Sequence, residues 1–431
     1  ALIDKYGTPM KLTYLPKIGM QIKKAKKMFD IAMKKHRYEG KYFYCYCTKS
    51  SHFSFVVEEA LKNDIHLETS FAYDIEIINK LYQKKKITKD IQIVCNGYKQ
   101  KSYIQRIAKL LNTGFKNVIP VLDNKDELQQ LKKTVKVPFK VGIRVAAEEE
   151  PTFPFYTSRL GVRARDILEF YVDKIEGNED RFQLKMLHIF LNKGIKDDIY
   201  YWSELSKIVN LYCQLRKICP ELDSINIGGG FPIKHSLGFE YDYQFMINEI
   251  VGTIKKQCKK AGVPMPNIYT EFGSFTVGES MAHIYSVLGQ KEQNDRENWY
   301  MIDSSFITTL PDTWGIGEKF LMLPINKWDN EYQRVVLGGI TCDSHDYYDS
   351  EEHINEVFLP KLNGNSTEPL YVGFFHTGAY QDQISGYGGI KHCMIPSPKH
   401  VIVGHDKNGK LVDWVYAKEQ TAQSMLKLLG Y

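Results

Sequence analysis

A rhythm constrains this chain more than any other feature. Through its first two thirds, short apolar runs alternate with stretches of helical amphipathicity. The runs are Tyr42–Thr48, Ile65–Thr69, Ile91–Cys95, Val118–Leu122, Lys140–Val145, Lys185–Phe190, Ser224–Ile227 and Ile268–Glu271. Between them lie Phe53–Asn63, Ile75–Lys84, Tyr103–Asn112, Lys125–Thr134, Glu204–Ile218 and Tyr243–Ala261, patterned as amphipathic helices. The runs are rich in Ile and Val and mostly lack polar alternation, as parallel strands buried on both faces do. Eight βα units in roughly 250 residues is the usual size of a closed barrel. An open doubly wound sheet competes with this reading, and the count of eight favours closure. The expected fold is therefore α/β, a (β/α)8 TIM-like barrel over 36–272.

After Glu271 the texture changes. "MAHIYSVLGQKEQ", "NWYMIDSSF", "RVVLGGITCDS", "PLYVGFFHTGAY" and "KHVIVGHDKNGKLVDWVYA" read as strands separated by turns, and Asn408-Gly409 is a hairpin signal between apolar runs. Residues 273–431 are expected to form a C-terminal β domain, closed by a short helix over Thr421–Leu429. Residues 1–35 form an N-terminal segment expected to pack with that domain. A length of 431 residues agrees with two domains, and 43% hydrophobic residues suffice for a large core.

The net charge of +6 is mild for this length, and the lysines between Lys23 and Lys35 read as the solvated face of one helix. No nucleic-acid partner is expected. No apolar run approaches the roughly 20 residues of a membrane span, and no signal peptide is visible. The first residue is Ala, so the numbered chain is expected to begin inside a longer product. Eight scattered cysteines without a Cys-x-x-Cys pair argue against a zinc or redox centre and fit a reducing cytoplasm.

A barrel of this kind carries its chemistry at the carboxyl ends of its strands. Lys49 follows the first run; His188 and Phe190 end the sixth; Gly228, Gly229 and Gly230 follow the seventh; Glu271 ends the eighth. A glycine triplet after strand seven exposes backbone N–H groups to an anion, or is merely a flexible turn. Lys49 on an apolar barrel floor would lose hydration and become a neutral nucleophile, or it is a snorkelling strand-end residue. Glu271 would hold a protonated ring nitrogen, or pair with a structural arginine. His188 has the plain alternative of a satisfied core histidine. Amine, phosphate cradle and carboxylate together suggest pyridoxal 5'-phosphate.

The chain resembles the fold-type III (alanine-racemase-like) pyridoxal-phosphate decarboxylases of basic amino acids, and within them the arginine decarboxylases. The resemblance rests on Tyr46-Cys47-Thr48-Lys49, Gly228–Gly230, Glu271-Phe272-Gly273, Gly378-Ala379-Tyr380, Thr308–Ile325, Ile340–Asp346 and Val372–Gly386. It implies that Lys49 is the Schiff-base lysine and that Gly229, Gly230 and Tyr380 hold the phosphate. Glu271 would face the ring nitrogen, and Phe190 and His188 would lie by the ring. Cys342 is implied as the acid that protonates the product carbon. Asp343, with Asp303 as a second carboxylate, would receive the substrate's distal cation. In the family the Cys342 and Asp343 positions serve the partner's site, which implies a homodimer with shared active sites. Some members are associated with Mg2+, but no carboxylate cage for it is visible here. The implied reaction is L-arginine to agmatine and carbon dioxide, a step of polyamine biosynthesis. Ornithine, lysine, diaminopimelate or carboxynorspermidine are alternative substrates, and a non-catalytic cofactor-binding homologue is an alternative class.

Three departures stand out. Phe190-Leu191-Asn192-Lys193 replaces the family's His-x-Gly-Ser, with Lys193 as a substitute charge for the phosphate. Glu271-Phe272-Gly273-Ser274 replaces Glu-x-Gly-Arg. The inserted helical segment of longer arginine decarboxylases is lacking.

Overall fold

Eight parallel strands close into a barrel in the computed structural model, which describes residues 1–147, 158–192, 194–295, 297–348, 357–362 and 367–431. One strand, β1 (Met10–Tyr14), precedes them. The barrel strands are β2 (Tyr42–Cys47), β3 (His66–Thr69), β4 (Ile93–Cys95), β5 (Val118–Leu122), β6 (Phe139–Arg144), β7 (Phe182–His188), β8 (Ser224–Asn226) and β9 (Asn267–Phe272). Closure is by β2 against β9, so the expected barrel is the one found and the open sheet is excluded. Cys45, Val94, Ile119, Val121, Met186 and Tyr269 fill the barrel's interior. A larger apolar layer joins the strands to the surrounding helices.

Register sets the site. Glu271 lies level with Cys45, and Glu68 with Cys47. His188 lies level with Arg144 on one side and Asn226 on the other. Polar side chains from five strands thereby reach the same end of the barrel.

Element bounds shift modestly from expectation. The sixth strand begins at Phe182 and ends at His188, which leaves Phe190 in the loop beyond it. The helix expected from Glu204 starts at Ile199, because Asp198 caps it by accepting from Tyr201 N at 2.7 Å. A helix over Ala164–Lys174 went unread; it buries Ile167, Phe170 and Tyr171 at helical spacing.

The second domain is one ten-stranded sheet. Its strands are β10 (Met281–Glu292), β11 (Asn298–Ile302), β12 (Leu321–Pro324), β13 (Tyr332–Gly338), β14 (Tyr347–Tyr348), β15 (Val357–Pro360), β16 (Tyr371–Phe375), β17 (Lys399–His405) and β18 (Leu411–Ala417), joined by β1. Asn408-Gly409 turns the β17–β18 hairpin, with Gly409 at φ +78° and Asp406 accepting from Asn408 N and Lys410 N at 2.9 Å each. Tyr285, Tyr300, Phe306, Tyr348 and Phe374 form its core.

The N-terminal segment divides between the two domains. β1 pairs with β10 and β17 in the sheet. The helix Pro16–His36 instead packs on the barrel, burying Ile18, Ile22, Ala25, Phe29 and Ala32, with Phe29 stacked 4.0 Å from Tyr42. That helix is a stripe at three- and four-residue intervals, which a helical layer accepts and a strand edge cannot. Lys23, Lys24, Lys27, Lys34 and Lys35 are exposed on its outer face. Among the described residues no helix is long and apolar enough to cross a membrane.

Candidate active site

Immediately after β2 the chain makes a tight 3-10 turn, Thr48–Ser50. Thr48 Oγ1 donates to the Glu68 carbonyl at 3.0 Å and Ser50 Oγ to the Cys47 carbonyl at 2.8 Å, which pins the turn. Lys49 projects from it. Its Nζ lies 3.0 Å from Glu68 Oε2, with the lysine side chain 39% exposed and the glutamate side chain 0%. Over an apolar floor this amine would have a lowered pKa. Burial does act in that direction, yet the net displacement is upward, because the Glu68 and Glu271 carboxylates stand beside it. The amine is held as an ammonium until a base takes its proton.

Glu271 is buried at the end of β9. Asn96 Nδ2 donates to its Oε1 at 2.8 Å, and Asn226 Nδ2 donates to the same oxygen. Oε2 is left without a hydrogen bond among the described residues and is free to accept from a ring N–H. Asn96 also donates to Glu68 Oε1 at 3.1 Å, linking the two carboxylates. His188 is fully buried with Nδ1 unpartnered, 3.8 Å from Glu271 Oε1. Burial and the nearby Arg144 guanidinium push its pKa down to about 3, so it is a neutral ring at physiological pH.

The glycine triplet follows β8 directly. Asn226 Oδ1 accepts from Gly228 N at 2.9 Å, so one amide fixes both the carboxylate and the loop. A Cβ on Gly229 would lie 2.2 Å from the Glu271 carbonyl oxygen, and Gly230 sits at φ +101°. Neither position admits a side chain. The N–H groups of Gly229 and Gly230 make no hydrogen bond among the described residues, which leaves two donors for an anion.

Tyr380 reaches this end from the sheet domain. Its N–H donates to the Ser50 carbonyl at 2.8 Å, its φ is +68°, and a Cβ on Gly273 would stand 3.2 Å from its hydroxyl. Burial raises the phenol's pKa, so the hydroxyl stays a donor. A non-glycine residue in the left-handed region is held there by its surroundings, as at many functional sites. Phe190 lies beyond β7 with the Arg144 guanidinium 5.8 Å from its ring centre, and Gly228 packs against it.

Lys49, His188, Phe190, Gly228–Gly230, Glu271 and Tyr380 are thus assembled at one barrel mouth. Three others lie elsewhere. Cys342 and Asp343 are in an exposed loop of the sheet domain. Cys342 Sγ contacts Cys393 Sγ at 3.3 Å and His392 Nε2 at 3.7 Å, while Asp343 caps its own turn through His345 N at 2.8 Å. Asp303 accepts from Ser286 Oγ at 2.7 Å and Ser286 N at 3.1 Å, and burial raises its pKa. It closes β11 onto β10. Lys193 lies outside the described residues.

Sequence reasoning missed Glu68, Asn96, Arg144 and Asn226. Each stands at or just after the carboxyl end of an apolar strand, as Lys49 and Glu271 do, and that position was the available signal. It also missed a cluster of soft donors, Cys342, His392 and Cys393, whose ligand atoms lie within 4.8 Å of one another. Local Cys-x-x-Cys spacing does not register donors brought together from fifty residues apart.

These groups fit pyridoxal phosphate: an amine for the aldehyde, two free glycine N–H groups and a phenol for the phosphate, a carboxylate oxygen for the ring nitrogen, and a buried neutral histidine beside it.

A family model described as pyridoxal-dependent decarboxylase, pyridoxal binding domain, matches residues 17–278. The biosynthetic arginine decarboxylase of Shewanella piezotolerans is 22% identical, covering 89% of this chain and 77% of that protein. That of Bacteroides thetaiotaomicron is 23% identical over 97% of this chain and 83% of its own. Among solved structures, the biosynthetic arginine decarboxylase SpeA from Campylobacter jejuni superposes with a TM-score of 0.82 at 20% identity, covering 99% of this chain and 84% of that one. A diaminopimelate decarboxylase from Helicobacter pylori complexed with L-lysine gives 0.77 at 17% identity, covering 99% and 98%. At these identities the solved structures speak to the fold.

Proposed function

The chain belongs to the pyridoxal-dependent decarboxylases, and from that premise we propose that it removes carbon dioxide from a basic amino acid, L-arginine, to give agmatine for polyamine synthesis. The observation that carries the reaction is the convergence of Lys49, Glu271 and the Gly228–Gly230 loop on one barrel mouth. The substrate assignment is supported by the printed names of its relatives and by Asp343, whose carboxylate can take a guanidinium bidentately.

Pyridoxal phosphate, when bound, supplies an electron-accepting ring for the pair left behind by carbon dioxide. This chain's residues do the rest. Lys49 would carry the aldehyde carbon and hand it to the substrate amine. Gly229 N–H, Gly230 N–H and Tyr380 Oη would hold the phosphate, without the family's arginine because Ser274 stands there. Glu271 Oε2 would keep the ring nitrogen protonated, and the amides of Asn96 and Asn226 fix that carboxylate's orientation. Phe190 and neutral His188 would exclude water from the ring's surroundings.

A proton must then reach the former α-carbon. The mouth's own thiol, Cys47, is tied to the Glu271 carbonyl at 3.1 Å, and burial raises its pKa. We assign the proton to Cys342 and the substrate's distal cation to Asp343, both acting in the partner's site of a homodimer. Their exposure, and the absence of any bond from either to the barrel mouth among the described residues, support this arrangement. Eight free cysteines, six of them buried, support placement in the cytoplasm. Asp303 is proposed as the second carboxylate for the substrate's distal cation, its oxygens oriented by Ser286 N and Oγ.

The test is a product assay across arginine, ornithine, lysine, diaminopimelate and carboxynorspermidine. Agmatine with stoichiometric carbon dioxide is expected. A protein that holds the cofactor and is inert to all five overturns the proposal.

A further inference from the structure

Cys342, His392 and Cys393 come together from two separate loops of the sheet domain, and all three are exposed. Cys342 Sγ is 3.3 Å from Cys393 Sγ and 3.7 Å from His392 Nε2. Tetrahedral zinc, with bonds of about 2.3 Å to S and 2.0–2.1 Å to N, sets a sulfur and a nitrogen roughly 3.6 Å apart and two sulfurs roughly 3.8 Å apart, so the sulfurs need part by only about 0.5 Å to admit it. The backbone works to hold this geometry. Cys393 and Met394 both sit at φ +53°, in the left-handed region, and Cys342 N donates to Cys393 Sγ at 3.4 Å. Two sulfurs and one imidazole form a soft donor set that selects zinc over magnesium or calcium.

We propose that Cys342, His392 and Cys393 bind one zinc-class divalent cation, and that its binding silences the enzyme by occupying the proton-donating thiol. The second clause rests on the function proposed above; the first does not. Binding converts two thiols to thiolates and releases two protons to solvent, while the imidazole binds neutral. Two thiolates balance the dication, and three protein ligands leave its fourth position to water. Cys342 bound in this way has no S–H to deliver.

The test uses the full-length, cofactor-loaded protein, stripped of metal and kept in a phosphine reductant so that no disulfide can form. Zinc chloride is titrated against a chromophoric chelator. One zinc per chain is expected, with Kd below about 10 µM and affinity rising with pH. Cys393→Ser and His392→Ala are expected to weaken binding at least about tenfold, the loss of one ligand from three. Both should decarboxylate within about twofold of the parent when zinc is absent and resist zinc inhibition when it is present. Zinc binding that is not saturable, or is equal in parent and both variants, overturns the site. Tight binding that leaves decarboxylation untouched overturns the silencing. If no basic amino acid is decarboxylated, the function falls, while the chelator titration still decides the metal site.

Discussion

Lys49 Nζ lies 3.0 Å from Glu68 Oε2, an exposed-side amine against a fully buried carboxylate. The pair explains why a lysine at an apolar strand end is charged, and it makes Glu68 the group that sets when this amine can attack. Glu68→Gln removes the negative charge and keeps the volume. The Lys49 pKa is expected to fall, because the negative charge that favours its ammonium form is gone. Capture of pyridoxal phosphate by the cofactor-free protein, followed by absorbance against pH, should reach half its maximal rate at correspondingly lower pH. Lys49→Ala should abolish covalent capture, read as the absence of the cofactor's mass after borohydride reduction. A borohydride-fixed cofactor in that variant would assign the role to another lysine.

Cys342→Ala should retain the cofactor and lose amine formation by about 10²–10⁴-fold, the range for general-acid delivery. Mixing Cys342→Ala with Lys49→Ala then distinguishes a shared site from a self-contained one. In a dimer whose sites span both chains, some hybrids carry one intact site, and up to about a quarter of parental activity should return. An inactive mixture, with exchange of chains verified by mass, places Cys342 in its own chain's site.

Tyr380→Phe removes one hydroxyl while the backbone bond to Ser50 stays. Loss of one hydrogen bond to a charged group costs about 1.5–3 kcal/mol, or about ten- to a hundredfold in affinity. Cofactor retention under dialysis should fall by that factor, with the melting temperature of the cofactor-free protein unchanged. Equal retention would remove Tyr380 from the phosphate.

The barrel was legible because its signal is periodic: each apolar run is too short to be a helix and is followed by a helical stripe. The sheet domain's strands were visible as runs, but their order was not. β1 is parallel to β17 and antiparallel to β10, a pairing set by tertiary packing with no local trace. At the barrel mouth the chemically conspicuous residues, Lys49, Glu271 and the glycine triplet, could be picked out from the sequence as candidates. Glu68, Asn96 and Asn226 could not, since their importance lies in whom they touch. The charge state of Lys49 could not be read locally, since an apolar strand does not imply an apolar floor. Strand register brings two carboxylates beside that amine, and the register of parallel strands is not written in any one of them.

Three buried histidines fix how the fold responds to acid. His188, His283 and His400 are all held below the ordinary imidazole range, first by burial. Arg144 adds to the effect at His188, Lys11 at His400, and Lys11, His400 and Lys391 at His283. Asp382 is ion-paired with Lys11. An imidazole in the unfolded chain protonates near pH 6.5, whereas these three remain neutral when folded. The unfolded state therefore binds more protons below pH 6.5, and native stability is lost as pH falls through that point. Each histidine contributes a slope of about 1.4 kcal/mol per pH unit once its unfolded form is protonated, and the three together about 4. Asp74, held below 3.8, acts at lower pH, whereas carboxylates raised by burial, among them Asp123, Glu127, Asp303, Asp312 and Glu318, oppose the histidines in the same window, so the comparison of parent with a single-histidine variant isolates one imidazole. His400→Gln keeps an acceptor near Thr13 Oγ1, which His400 Nε2 meets at 2.7 Å, and cannot take a proton. Urea unfolding from pH 4.5 to 7 should show a slope smaller than the parent's by up to about 1.4 kcal/mol per pH unit in this variant. An unchanged slope would mean that His400 is already protonated in the native sheet, and the neutral cluster would be wrong.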